Sequence, residues 1–113
     1  MPKVPKETIQ EFDVKLESDQ EWHSKPMRLR EGTVVTLTAT GSADFYAGLF
    51  QREVYVRMRA QIGGFDFSFG SDLRSFTHRY QIESTDDYYL VFRVGVFSRT
   101  QTIHVRLIFE TPG

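Results

Sequence analysis

No cysteine occurs among the 113 residues, so disulfides, zinc–thiolate sites, iron–sulfur clusters and thiol nucleophiles are excluded. No segment approaches the roughly 20 apolar residues that a membrane-spanning helix requires. The opening, MPKVPKETIQ, holds no apolar run of the kind a secretory leader carries. These absences read as a cytoplasmic chain. Net charge is nearly absent too, at −1 from 14 basic and 15 acidic residues, so bulk charge calls for no nucleic-acid or anionic-membrane partner. Lysine is scarce: ten of the fourteen cations are arginine, whose planar fork suits fixed ion pairs and aromatic stacking. Genome base composition alone gives the same bias.

What is present is apolar and aromatic. Forty per cent of the residues are hydrophobic, with ten Phe, five Tyr and one Trp, enough for a chain of this size to bury roughly 65% of its unfolded surface in one core. Residues 1–8, with two prolines, read as a flexible lead-in to a single domain over 9–113. From there the period is two. In EFDVKLE, Phe12, Val14 and Leu16 point one way, and Glu11, Asp13, Lys15 and Glu17 the other. SDQEWHSKP is a connection with Trp22 folded over the end of the core, MRLR a short strand, and Glu31–Gly32 a turn. TVVTLTAT is β-branched almost throughout and so is strand. VYVRMRAQI alternates again, with Val54, Val56, Met58, Ala60 and Ile62 on one side and Tyr55, Arg57, Arg59 and Gln61 on the other. SFTHRYQIE turns Phe76, His78, Tyr80 and Ile82 inward. No helix of three turns stands out. Short alternating runs at regular spacing with glycine-containing breaks predict an all-β, antiparallel β-sandwich of seven to nine strands.

One run is unusual. In DYYLVFRVGVF, Tyr88, Leu90, Phe92, Val94 and Val96 form one face, and Tyr89, Val91, Arg93, Gly95 and Phe97 the other. A strand apolar on both sides belongs in the middle of a sheet and needs cover on its second face. Arginine stems, a loop or another subunit would supply it.

Catalytic equipment is thin. His23 falls in a loop, His78 on an inward position and His104 on an outward one, and no Gly-x-Ser-x-Gly elbow accompanies them. His78 reads as a buried, hydrogen-bonded histidine and His104 as a solvent-facing one. Phosphate-cradling glycine loops are missing. Asp66, Ser68 and Asp72 have the even spacing of a calcium loop, but its twelfth position, where a bidentate Glu is needed, is Thr77. The expectation is a protein without enzymatic activity, metal or cofactor.

Two surfaces remain as candidates. Phe65, Phe67 and Phe69, in a glycine-fenced loop, either plug the sandwich end or form a docking tip. Arg57, Arg59, Arg79, Arg93 and Arg106, with Tyr55, Tyr89, Phe97 and His104 among them, fall on wet-side positions. If their strands share one sheet, they make a basic, aromatic surface suited to single-stranded nucleic acid or another polyanion. The plainer alternative is a solvated face with arginines paired to Glu53 and Glu83.

REGTVVTLTATGSADFYAGLF resembles the middle of GOLD-type β-sandwiches and of bacterial pre-peptidase C-terminal domains. DDYYLVFRVGVFSRTQTIHVRL resembles their closing hairpin, over about residues 27–109 in all. Asp87 stands where those families usually have glycine, and Arg93–Gly95 replace the usual Asn. The secretory signal, paired cysteines and membrane helix of GOLD cargo receptors have no counterpart here. The resemblance implies a jelly-roll-like sandwich serving as a non-catalytic interaction or accessory module, with no catalytic residues to transfer. The leading expectation is protein–protein contact or self-association, through the second face of the YYLVFRVGVF strand or the Phe-rich loop. Alternatives are polyanion binding by the arginine face and carbohydrate binding by Tyr46, Phe50 and the loop aromatics.

Overall fold

A strand that alternates apolar and polar side chains has one face to bury, and it does so against another sheet. The structure, a computed structural model, describes residues 6–17, 20–42, 45–60, 75–94 and 100–111. Its strands are β1 (Lys6–Leu16), β2 (Glu21–His23), β3 (Met27–Leu29), β4 (Val34–Thr40), β5 (Tyr46–Gln51), β6 (Ser75–Gln81), β7 (Asp86–Arg93) and β8 (Gln101–Thr111); the helix α1 (Arg52–Ala60) lies between β5 and β6. The first sheet has the order β1-β8-β4-β6. In the second, β7 is central, with β5 on one edge and β2 and β3 in line along the other. Every pairing is antiparallel. The result is the expected antiparallel β-sandwich, with eight strands among the described residues.

Three readings change. Residues 6–8 are ladder, not lead-in, since Lys6 faces Thr111 and Thr8 faces Phe109. Trp22 lies on a short strand rather than in a connection. The runs at β7 and β8 form no hairpin: β7 sits in the second sheet and β8 in the first. A strand greasy on both faces occupies the centre of a sheet, where β5 and β2–β3 already fill its two edges.

The core is what alternation promised. Val14, Leu16, Val35, Leu37, Ala39, Ile103, Val105 and Leu107 from the first sheet meet Leu29, Phe45, Ala47, Tyr88, Leu90 and Phe92 from the second. Fully burying one such Leu or Phe contributes about 1.5–3 kcal/mol. Trp22 bridges the sheets, its ring 5.5 Å from Phe12 and 5.9 Å from Phe92. The break between β2 and β3 is set by Pro26, which has no N–H to give a ladder. Ser24 compensates: its N–H donates to the Leu90 carbonyl at 2.8 Å, and its Oγ accepts from the Leu90 N–H at 2.9 Å. At the Glu31–Gly32 turn, Gly32 takes φ 90°, a left-handed conformation that a side chain disfavours.

The segment from Val54 onward is the clear departure, because its first two turns are helical. VYVRMRA satisfies both periods. A strand would group Val54, Val56, Met58 and Ala60, whereas a helix groups Val54, Tyr55 and Met58. The residue types break the tie: Arg, Met, Glu and Ala favour helix, Glu53 lies in the first turn, and Arg57 and Arg59 lie in the last, where the helix dipole favours each. Val56 is left 57% exposed as a result.

α1 supplies the missing cover for β7. Val54, Tyr55 and Met58 pack with Phe50, Tyr89 and Val91 on the outside of the second sheet. Tyr55 stacks on Tyr89 with centroids 3.8 Å apart and planes 7° from parallel. Its hydroxyl lies 2.7 Å from His23 Nδ1, and the Arg59 guanidinium is 5.7 Å from its ring centroid. Gly48 makes room here: a Cβ at that position would meet ring atoms of Phe50 at 2.7 Å.

On β6, His78 and Tyr80 pack edge to face at 4.5 Å, and Tyr80 reaches the core. The Tyr80 hydroxyl is sealed from solvent without a hydrogen-bond partner, lying towards the Leu49 backbone without closing a well-shaped bond. Burial pushes the phenol up from 10.0 to about 12, with the Leu49 backbone partly opposing.

A folded-state value above the unfolded one means that this stabilisation is complete below pH 10 and lost as the pH climbs from 10 towards 12. Tyr80→Phe, which removes the orphan hydroxyl, is expected to be at least as stable at neutral pH, by on the order of 1 kcal/mol, and to lose stability less steeply across that alkaline window. Urea melts at a series of pH values measure both, and equal alkaline slopes would contradict the assignment. A nine-residue helix is marginal alone. Tyr55→Ala is therefore expected to release the amides of residues 52–60 to fast hydrogen exchange, while those of β7 stay protected.

Candidate functional site

The arginine face is not assembled. Arg79 and Arg106 lie on the outside of the first sheet, while Arg93 and the helical Arg57 and Arg59 lie beyond the second, on the opposite side of the sandwich. The expectation depended on reading Val54–Ile62 as strand, and the helix removes that premise. Arg106 Nε stands 3.5 Å from Glu11, both side chains about half exposed, an arrangement worth little in water. Tyr89, expected as a contact residue, is half-buried beneath Tyr55. Phe50, offered for carbohydrate stacking, is buried in the same cluster. Phe65, Phe67, Phe69 and Phe97 lie outside the described residues. The second face of β7, offered as a docking surface, carries α1 where the structure describes it.

One cluster that sequence reading missed has the form of a proton relay. Glu21 Oε1 lies 3.1 Å from His23 Nε2, and His23 Nδ1 is 2.7 Å from the Tyr55 hydroxyl. Tyr55 is only 6% exposed, and its hydroxyl joins α1 to the His23 ring on β2. Its role is to pin α1 to β2. The Glu-x-His alternation was the available signal, but nothing local linked it to a tyrosine 32 positions away.

Beside the start of α1, Arg52, Glu53, Val56, Arg57 and Asp86 line a wide hollow of about 830 Å³. Asp86 accepts hydrogen bonds from the Asp87 N–H at 2.7 Å and from Gln51 Nε2 at 3.0 Å. These hold its carboxyl below the usual range, the Asp87 N–H contributing most. Charges of both signs neutralise one another here. Among the described residues, no group of three or more His, Asp or Glu gathers to hold a metal, and no helix is long and apolar enough to cross a membrane.

The better-formed site runs along the side of the sandwich where β1, edge of the first sheet, faces the β2–β3 edge of the second. Two hollows, of about 220 and 380 Å³, share Gln10 and Met27. The smaller continues to Phe12, Trp22, Leu90 and Leu107. The larger continues to Thr8, Leu29, Thr33 and Phe109. Thr33 is wholly buried, and its hydroxyl finds no hydrogen-bond partner. Lys25, Arg28 and Arg30 stand on the β2–β3 lip. Arg28 reaches Asp87 at 3.7 Å and Asp86 at 4.0 Å. On the β1 side, the row facing away from the hollows carries Glu7, Ile9, Glu11, Asp13 and Lys15, three acids and one lysine.

Among the described residues, the hollows have a largely apolar floor, with the hydroxyls of Ser24 and Thr33 at their sides and cations on the β2–β3 lip. None of their residues was singled out from sequence, because Gln10, Met27 and Thr33 come from three separate segments and are chemically ordinary.

No protein-family model matches this chain, and no curated protein matches it. Among solved structures, it is similar to the crystal structure of Aeromonas hydrophila PliG, a periplasmic lysozyme inhibitor of g-type lysozyme. The TM-score is 0.61 at 13% sequence identity, over 90% of this chain and 84% of that one. A likeness at that identity speaks to fold alone, the β-sandwich architecture.

Proposed function

We propose that this chain is a non-catalytic module that acts by binding another protein, through the groove between β1 and the β2–β3 edge. The observation that carries the reading is the groove itself, an apolar trough that stands open among the described residues, while α1 covers the outer face of β7. Soluble domains rarely leave a contiguous apolar surface open without use. The neighbouring fold is that of an inhibitor of g-type lysozyme, and action on a protein partner is the same class of behaviour. That neighbour is periplasmic, and a protein partner is compatible with either side of a membrane.

A photo-crosslinking amino acid placed at Gln10 in cells is expected to give an adduct with a different protein, and the same group at Val56 on the exposed side of α1 to give none. An adduct of twice the chain mass would replace a foreign partner with a second copy. No adduct at Gln10 would overturn the groove as the contact surface.

A further inference from the structure

We infer that the groove takes an extended segment of a partner protein, added as a new edge strand along β1 with apolar side chains inward and basic side chains outward. This rests on the groove being the contact surface and goes on to say what occupies it.

An edge strand presents a row of unpaired backbone N–H and C=O groups, and proteins that must avoid pairing blunt such rows with proline, bulges or inward-pointing charges. β1 has none of these. Its register with β8 runs unbroken from Lys6 to Leu16, and its inward residues at the groove, Thr8, Gln10 and Phe12, are uncharged. The two hollows meet at Gln10, one extending towards Phe12 and the other towards Thr8. That displacement is one two-residue repeat of a strand, about 6.6–6.8 Å. An added strand would point alternate side chains inward at the same interval, one into each hollow. Backbone bonds then hold the segment, and the hollows select its side chains, as in other strand-addition complexes.

Charge decides which segment fits. Across the outer face, Glu7 lies opposite Glu110, and neither has a cationic partner among the described residues. Glu11 and Asp13 follow along the same row, on which Ile9 and Lys15 also stand, with Arg106 3.5 Å from Glu11 and His104 2.6 Å from Asp13 on the neighbouring strand; the carboxylate pair at Glu7 and Glu110 is therefore the stronger attraction for a cation. An incoming strand with Lys or Arg on its outward positions would meet this row with opposite charge. Inward basic residues are disfavoured by Lys25, Arg28 and Arg30 on the facing lip. A second copy of the chain is a poorer occupant than a basic strand, because three of the five residues it would bring outward are acidic. Antiparallel pairing of two β1 edges centred on Glu11 sets Glu11 against Glu11 but Glu7 against Lys15, and one step either side sets Glu7 or Glu11 against Asp13. Like charges directly opposite destabilise a ladder.

The test uses the full chain, isotopically labelled, with the synthetic peptide Lys-Val-Lys-Leu-Lys-Val-Lys and its counterpart bearing Glu for every Lys. The lysine peptide is expected to shift the amide signals of residues 7–13 and to move the fluorescence of Trp22, the single tryptophan, to the blue. The glutamate peptide is expected to bind roughly tenfold or more weakly, because it reverses each cross-strand charge pair. Gln10→Phe, at an exposed position where the two hollows meet, puts a ring in the path of the incoming side chains and is expected to abolish the lysine peptide's effect while the rest of the spectrum stays folded. Glu7→Lys with Glu11→Lys is expected to invert the preference. Equal binding of the two peptides, or concentration-dependent shifts at residues 7–13 without peptide, would overturn the proposal. A foreign adduct at Gln10 with no peptide response would keep the groove as the contact surface and remove strand addition.

Discussion

Leu90, Val91 and Phe92 are consecutive and all fully buried, which a strand achieves only when both of its faces are covered. Leu90 and Phe92 look into the sandwich, and Val91 looks out, so β7 needs a layer on each side. The first sheet provides one. The other has to come from the chain itself, and it comes at once after β5, where Gln51 ends the strand and Arg52 opens α1. The helix is too short to hold its shape alone; the apolar surface that needs covering is what stabilises it. Gly48 and Phe50 belong to the same constraint, since the ring folds over a residue with no side chain before Tyr55 closes above Tyr89.

Half of this was legible beforehand. β1, β4 and β8 each bury one face, and alternation is sufficient to find it on β1: Val14 and Leu16, expected inward, lie in the core, and Phe12 packs against it. The need for a second cover over β7 was also readable. Its source was not, because VYVRMRA alternates as well as any strand, and a strand assignment there consumed the residues that in fact form the cover. The lost arginine face is the same error carried forward, since two of its five members sat on that imagined strand. Pairing β7 with β8 as neighbours failed for a related reason. Proximity in sequence favours a hairpin, but a doubly apolar strand already flanked on both edges has no room for one.

The groove was illegible on different grounds. Period and composition report which face of an element is buried, and say nothing of how far apart two sheet edges stand. Met27 and Leu29 read as one more short strand; what opens the trough beside them is the break at Pro26, which ends β2 and starts β3 while Ser24 keeps Leu90 satisfied. A proline within a Lys-Pro-Met-Arg-Leu-Arg stretch was the only local hint that this edge is short, interrupted and lined with cations.

Net charge misled in a similar way. A total of −1 argues against a polyelectrolyte partner, but it averages over an acidic row on β1 and a cationic lip on β3 that lie on opposite sides of one trough. At a Debye length of about 8 Å in physiological salt, a bound chain lying between the two would feel each lip separately. The sum of charges therefore says little about what binds there, and the order of charges across the groove says a good deal. On the strand-addition proposal, a row with three acids and one lysine would favour an incoming strand with basic outward positions over a second β1, since a second β1 brings mainly acids of its own.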